Sequence, residues 1–394
     1  MTQTTTGRTE AEVVAGGGPD DILTTRRLSL RGSQTDIGRA LATEARTRFG
    51  WAPYPAADPL RNRARRRWFA REWPAHHARM LGVAEALGLD PERDDIDFSA
   101  IASGAVDFGC SAVWYPPQTA SDGHGRIVRN FDFFTGGWQD MIAVIDGGRP
   151  ADVPAGPRIC ETPYVIDLMP DEGPASTAIS IFGFDGATDG VNEHGLAVVL
   201  LMADVETARA DGGALPTVGL NPTQVPRFLL DTCADVDEAK EALLSTKQYD
   251  ESAPCHYLIA DAAGRGFVWE RSPGGDEHII EVDDGPLCVT NHLLHRHPDV
   301  ENLPADNADS HETYERMRTL TRKTRQDRQS VSSPEMMRAD LDGVAPREDP
   351  SWRTIWRTVT DVQDRSMSAG FYLGESQAGD IRNSEEVLLT VGRR

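Results

Sequence analysis

The stretch VDFGCSAVWYPPQTASDGHGRIVRNFDF, residues 106–133, decides how the chain is read. Two β-prone runs flank a Pro, Asp and Gly-rich connection, which is the pattern of a hairpin. A cysteine, Cys110, follows Gly109 at the start of the first run, and Arg-Asn-Phe-Asp lies at the end of the second. If the bond between Gly109 and Cys110 were cut, Cys110 would carry both a thiol and an α-amine. That amine has an ordinary pKa near 8, so it can take the thiol proton without a separate histidine. Glycine before the thiol leaves the attacked carbonyl unhindered. Pairing of 111–113 with 126–133 returns Arg129 and Asp132 to the cysteine's end of the sheet. Arg129 is then placed to lower the thiol pKa or anchor a substrate, and Asp132 to orient the amine. Their odd spacing requires a bulge or strand end near Asn130 if both are to share a face.

Downstream, the runs YVIDL, TAISIFGF, LAVVLLM, HYLIADAAGRGFVWE, HIIEV and LCVT continue the β texture, and DMIAVIDGG reads as a further strand. PTQVPRFLLDTCADVDEAKEALLST interrupts them as a helical pair, with Asp235 or Asp237 as the cap of its second member. SSPEMMRADLDG is a short helix capped by Ser333 with Pro334 in its first turn. Strands in runs with helices segregated between them define an α+β class.

Upstream, residues 1–25 read as a flexible arm, and 26–109 as mostly helix. The six arginines from Arg61 to Arg71 suggest an anion site, but arginines solvating one helix face explain them as well.

The 394 residues carry a formal charge of −22, which argues against nucleic acid as a partner. Five cysteines without a Cys-x-x-Cys pair exclude a zinc ribbon or a disulfide framework and suit a reducing compartment, so a cytoplasmic location is expected. No run approaches about 18 apolar residues, and the N-terminus lacks a signal-peptide pattern, so no membrane association is expected. His292, His295 and His297 form a local loop cluster without metal-ligand spacing. No metal and no cofactor are called for, since no phosphate-binding or dinucleotide loop is present. Cys160, Cys233 and Cys288 read as small buried hydrophobes.

Five segments in order resemble the N-terminal-nucleophile hydrolases of the choloylglycine hydrolase and acid ceramidase type, and especially the acyl-CoA:6-aminopenicillanate acyltransferase branch. They are GCSAV with GRIVRNFDF, DGVNEHGLAVVLLM, RFLLDTCADVDEAKEAL, HYLIADAAGRGFVWE and CVTNHLL. The resemblance covers the chain from about residue 77 onward and implies a four-layer αββα sandwich. It further implies self-cleavage between Gly109 and Cys110 into 26–109 with its arm, and a catalytic segment 110–394. By the same resemblance Cys110 is the nucleophile, Arg129 and Asp132 support it, and Asn192 and Asn291 donate amides to the oxyanion; on their own, both asparagines are ordinary turn residues. The expected activity is hydrolysis of a linear amide of a small molecule, within specialised metabolism, through an acyl-thioester. Acyl transfer to an amine is the alternative, and a noncatalytic binding relative the second. The cleaved N-terminal segment and a small-molecule amide or acyl donor are the expected partners, with oligomeric state open. In SHETYERM, residues 310–317, Thr313 stands where relatives carry an arginine, with Arg316 and Arg318 nearby.

Overall fold

The computed structural model describes residues 11–392 apart from 102–108, 146–155, 182, 204–216, 251–253, 273–274, 283–284, 308–309, 327–330, 348 and 350. Two sheets form its centre. The first has nine strands: β1 (Glu12–Gly16), β2 (Thr24–Gly32), β5 (Tyr164–Pro170), β6 (Ser176–Ser180), β7 (Asp189–Asn192), β8 (Ala197–Met202), β9 (Cys255–Ala260), β10 (Gly266–Arg271) and β11 (Glu277–Ile280), in that spatial order. All neighbours are antiparallel except β2 and β5. The second sheet is ordered β12 (Leu287–Val289), β3 (Gly109–Tyr115), β4 (Arg126–Phe134), β13 (Trp352–Asp361), β14 (Ser366–Glu375) and β15 (Ile381–Asn383), with β16 (Val387–Thr390) also on β14.

The sheets face each other through β3 over β8 and β9, and through β13 and β14 over β7. Helices α1 (Gln34–Phe49), α5 (Gln224–Thr232) and α6 (Val236–Ser245) cover the far side of the first sheet. Helices α7 (Thr313–Gln326) and α8 (Pro334–Asp342) cover the far side of the second. The chain is therefore the expected αββα sandwich. Buried strands such as Ala197–Met202 are apolar throughout because both their faces are covered.

Several caps follow the sequence. Asp235 accepts from the amides of Asp237 and Glu238, and Ser333 from that of Met336. Helix α1 ends at Gly50 in the left-handed conformation, as does α3 (Pro74–Leu87) at Gly88.

Three expectations are corrected. Of DMIAVIDGG, residues 140–145 belong to helix α4 (Trp138–Ile145) and not to a strand, since a short apolar run does not distinguish the two by itself, and 146–148 lie outside the described residues. Residues 1–10 lie outside the described residues, but 12–16 and 24–32 are strands, with Ala15 and Leu23 buried, so 1–25 is not simply an arm. The N-terminal segment thereby supplies two strands of the first sheet. The arginines of α2 (Pro59–Glu72) do not just solvate a face. Arg65 and Arg66 are buried, and Arg63, Arg65 and Arg66 pair with the carboxylates of Asp94, Asp97 and Glu92. No helix among the described residues is long and apolar enough to cross a membrane.

Candidate active site

Cys110 sits at the second position of β3, between Phe131 of β4 and the extension of β12, and is fully buried. Three parts of this one residue meet three different groups. The thiol takes a hydrogen bond from Arg129 Nη2 at 3.0 Å. The backbone N–H donates to Asn291 Oδ1 at 2.7 Å, and the carbonyl accepts from Arg316 Nη1 at 2.6 Å.

Arg129 is fixed from the opposite sheet. Its Nη1 pairs with Asp189 Oδ2 at 2.6 Å and its Nη2 also donates to the Leu200 carbonyl at 3.0 Å. Asp189 accepts further bonds from Thr358 Oγ1 and Trp356 Nε1. The guanidinium carbon lies 4.5 Å from the centre of the Phe131 ring, which stacks on Trp356 at 3.9 Å. Both members of the Arg129–Asp189 pair have 0% side-chain exposure, so neither charge has a substitute partner in water.

Burial pushes the Cys110 thiol up to about 12, with the Arg129 charge opposing that rise. Cys160, Cys233 and Cys288 are also buried with raised thiol values, as their reading as apolar residues requires.

Asp132 occupies the other face of the sheet. β3 and β4 pair without a register shift, so the bulge expected near Asn130 is absent there; the bulge lies on β13, between Thr354 and Trp356. Three residues on from Arg129, Asp132 necessarily points away from the thiol. It stands opposite Gly109, accepts from Thr354 Oγ1 at 2.6 Å, and lies 3.9 Å from Arg316 Nη1. Burial raises its pKa against the Arg316 charge. Asp132 therefore stands beside the Gly109 peptide, next to Arg316.

Gly109 is needed for space. A Cβ there would come within 3.3 Å of Trp352 Nε1 and 3.4 Å of Asp132 Cβ, so any larger residue has to displace the wall around this peptide.

Residues 151–376 match the family model of acyl-coenzyme A:6-aminopenicillanic acid acyl-transferase. The chain belongs to that family. That family is one of the N-terminal-nucleophile group of amide hydrolases and acyltransferases. The match begins downstream of Cys110, so the cysteine's own role rests on its geometry.

A stretch of 109 residues is 30% identical to an uncharacterized protein of Paramecium bursaria Chlorella virus 1, covering 26% of this chain and 37% of that relative's length. Among solved structures, a mutant of conjugated bile acid hydrolase from Clostridium perfringens is 13% identical, with a TM-score of 0.47 over 72% of this chain and 99% of that one. Penicillin V acylase from Agrobacterium tumefaciens is 18% identical, with a TM-score of 0.38 over 68% and 83%. The Caenorhabditis elegans ortholog of N-acylethanolamine-hydrolyzing acid amidase is 15% identical, with a TM-score of 0.43 over 64% and 93%.

In this member of the acyltransferase family an arginine follows Thr313 one helical turn later and turns to the same side. Thr313 Oγ1 accepts from the Asn291 amide at 2.7 Å, and Arg316, on the same side of α7, reaches Cys110, Ser111 Oγ and Asn291 Oδ1. A three-residue shift along a helix keeps a side chain on nearly the same face.

Besides Asp132, two more residues sit otherwise than their expected roles require. Asn291 Oδ1 accepts from both Cys110 and Arg316 while its Nδ2 donates to the Met202 carbonyl at 2.9 Å. In this state it anchors the Cys110 nitrogen instead of donating to an oxyanion. Asn192 is turned to the helix side of its sheet: it donates to the carbonyls of Leu230 and Cys233 and accepts from the amides of His194 and Leu196. Asp189, three residues earlier and thus on the opposite face, is the member of this strand that reaches the site.

Asn192→Ala is expected to leave self-cleavage and activity intact while lowering stability by about 3 kcal/mol, because several buried backbone groups lose their partner. Urea unfolding and a denaturing gel separate the two effects.

Proposed function

We propose that the protein is a self-processing amidohydrolase whose nucleophile is Cys110, exposed by cleavage after Gly109. The supporting observation is the convergence on one buried residue of Arg129 at the thiol, Asn291 at the nitrogen and Arg316 at the carbonyl. In the uncut chain Cys110 Sγ attacks the Gly109 carbonyl carbon, the C–N bond breaks, and the leaving nitrogen keeps its own proton and takes the one the thiol gives up, becoming the new α-amine. Water then hydrolyses the Gly109 thioester, leaving residues 1–109 and 110–394. The first fragment contributes β1 and β2, with β2 hydrogen-bonded along seven residues to β5, so it remains bound after cleavage.

In turnover the α-amine takes the thiol proton as Sγ adds to a substrate carbonyl. The same amine, held by Asn291 Oδ1, returns that proton to the leaving nitrogen. Water then resolves the acyl-thioester. Arg129 stabilises the thiolate, and Asp189 keeps Arg129 aimed at it.

Acyl transfer to an amine is the second reading, favoured by the description of the matched family. Linear amides and thioesters offered with and without amine acceptors separate the two. Acyl product formed only with an acceptor establishes transfer; free acid formed without one establishes hydrolysis. An uncut chain that still turns over amides sinks the self-processing mechanism.

Because burial holds the thiol near 12 before cleavage, it is protonated throughout the neutral range. The thiolate fraction therefore grows about tenfold for each pH unit below that value. Self-cleavage of freshly made precursor is expected to accelerate by about that factor per unit between pH 6 and 9, followed by intact mass. A flat profile rejects thiolate attack.

A further inference from the structure

Gly109 is the residue whose carbonyl the thiol attacks in the proposed self-cleavage, and one side of it is closed. It stands opposite Asp132 of β4, which stands opposite Thr354 of β13. Trp352 lies two residues before Thr354 and so shares its face of the sheet, the face turned away from Arg129. From there its indole reaches Gly109. A Cβ built on Gly109 would meet Trp352 Nε1 at 3.3 Å, Asp132 Cβ at 3.4 Å and Trp352 Cζ2 at 3.6 Å.

This wall is braced from behind. The His311 ring stacks on the half-buried Trp352, with 5.3 Å between ring centres and 12° between planes, and the Phe133 and Phe134 rings lie at 6.3 and 6.5 Å. The His311 carbonyl accepts from Arg316 Nε and Nη2 at 3.2 and 3.1 Å, and Arg316 donates to the Cys110 carbonyl. The residue backing the indole is thereby tied to the strand that carries the nucleophile. Asp132 is buried and held by Thr354 Oγ1. A group pushed against this side has to shift packed neighbours, which is costly.

Self-cleavage and turnover use the same two atoms of Cys110. In the uncut chain the attacked carbon is bonded to the Cys110 nitrogen and approached by Sγ. In turnover the substrate carbon must again lie within reach of Sγ, which adds to it, and of that nitrogen, now the α-amine that passes a proton to the leaving group. The acyl carbon then occupies the place that the Gly109 carbonyl leaves, and the next carbon of the acyl chain the place of the Gly109 Cα. At that carbon the direction of an L side chain runs into Trp352 and Asp132.

We propose that Trp352, backed by His311, is the specificity wall for the acyl half of the substrate. It admits acyl groups with a CH2 beside the carbonyl and rejects a branch there that has the configuration of an L side chain. This rests on the self-processing hydrolase reading above.

The first test uses the processed enzyme and the 4-nitroanilides of hexanoic, (R)-2-methylhexanoic and (S)-2-methylhexanoic acids. The (R) methyl takes the L side-chain direction. The (S) methyl points away from Trp352 and measures the ordinary cost of branching. Hexanoyl is expected to be the best of the three, and (S) to exceed (R) about twentyfold in kcat/KM, within the range a single misplaced methyl produces in a shaped pocket. Trp352→Leu and Trp352→Phe both cut back the indole edge, and the second keeps a ring against His311. Each is expected to bring the (S) to (R) ratio to about one by raising turnover of the (R) anilide. No preference between the enantiomers in the wild type, or an unchanged ratio in both variants, overturns the wall.

The second test reads self-cleavage of freshly made precursor by intact mass. Gly109→Val is expected to slow cleavage about thirtyfold, but only about threefold or less when combined with Trp352→Leu, since residues in contact are not additive. Equal slowing by valine in both backgrounds overturns the wall. If no anilide is hydrolysed, the hydrolase reading fails and the valine experiment still decides the wall. If every precursor stays uncut yet anilides are hydrolysed, self-processing fails and the enantiomer ratio decides it. A chain that does neither overturns both.

Discussion

Cys110→Ala is expected to run on a denaturing gel as one uncut chain of 394 residues and to lose amide turnover by at least about 10⁴-fold. The alanine removes the atom that attacks Gly109 and the atom that carries the acyl group, so both reactions stop together. Stability should change little by comparison, because the thiol gives up one bond from Arg129, and Arg129 keeps Asp189 and the Leu200 carbonyl. Cys110→Ser tests the same assignment by chemistry: its hydroxyl is less acidic and less nucleophilic than a thiol, so cleavage should be slower yet detectable. Fragments of normal size from the alanine variant would remove Cys110 as the agent of cleavage.

Asp189→Ala is expected to produce the largest loss of stability of any single change at this site, about 3–5 kcal/mol. It strands Arg129, which is fully buried, without its counter-charge, and it leaves Thr358 and Trp356 without their acceptor. The urea midpoint should fall accordingly, and self-cleavage should fail because the guanidinium is no longer held at the thiol. The double variant Arg129→Met with Asp189→Leu distinguishes a lost charge pair from lost packing. It should regain most of the stability and none of the activity, since a buried ion pair can be replaced by apolar groups of similar size. A double variant as unstable as Asp189→Ala would show that packing, and not the stranded charge, accounts for the loss.

These expectations differ in how far they could be read from the chain. The cysteine after glycine, and the Arg-Asn-Phe-Asp returning beside it, were legible because a hairpin brings near neighbours together by local pairing. Asp189 was not legible. It lies in the same short run as Asn192, and both are polar residues ahead of a strand. Which of them faces the other sheet is a matter of parity along four residues, and motif reading chose the one that caps the turn and holds the end of α5.

Arg316 was visible only as a nearby arginine. Its part became clear once α7 had been docked, because a helix can supply the same group from one turn further on. The strands at 12–16 and 24–32 were missed for a related reason. They are short or rich in arginine and threonine, and what makes them strands is the pairing of β2 with β5, more than a hundred residues away, and of β1 with β2.

Chemistry confined to neighbouring residues was therefore written plainly in the chain: a thiol that can become an N-terminus, the hairpin that carries it, the caps of α6 and α8, and the run of strands that makes a sandwich. Which face each polar residue occupies was decided only when the two sheets closed on each other. That closure buries Arg129 against Asp189 and turns Asp132 and Asn192 away from the thiol. Local propensity sets which residues form a strand, but burial and charge pairing across the interface set which side of it does chemistry.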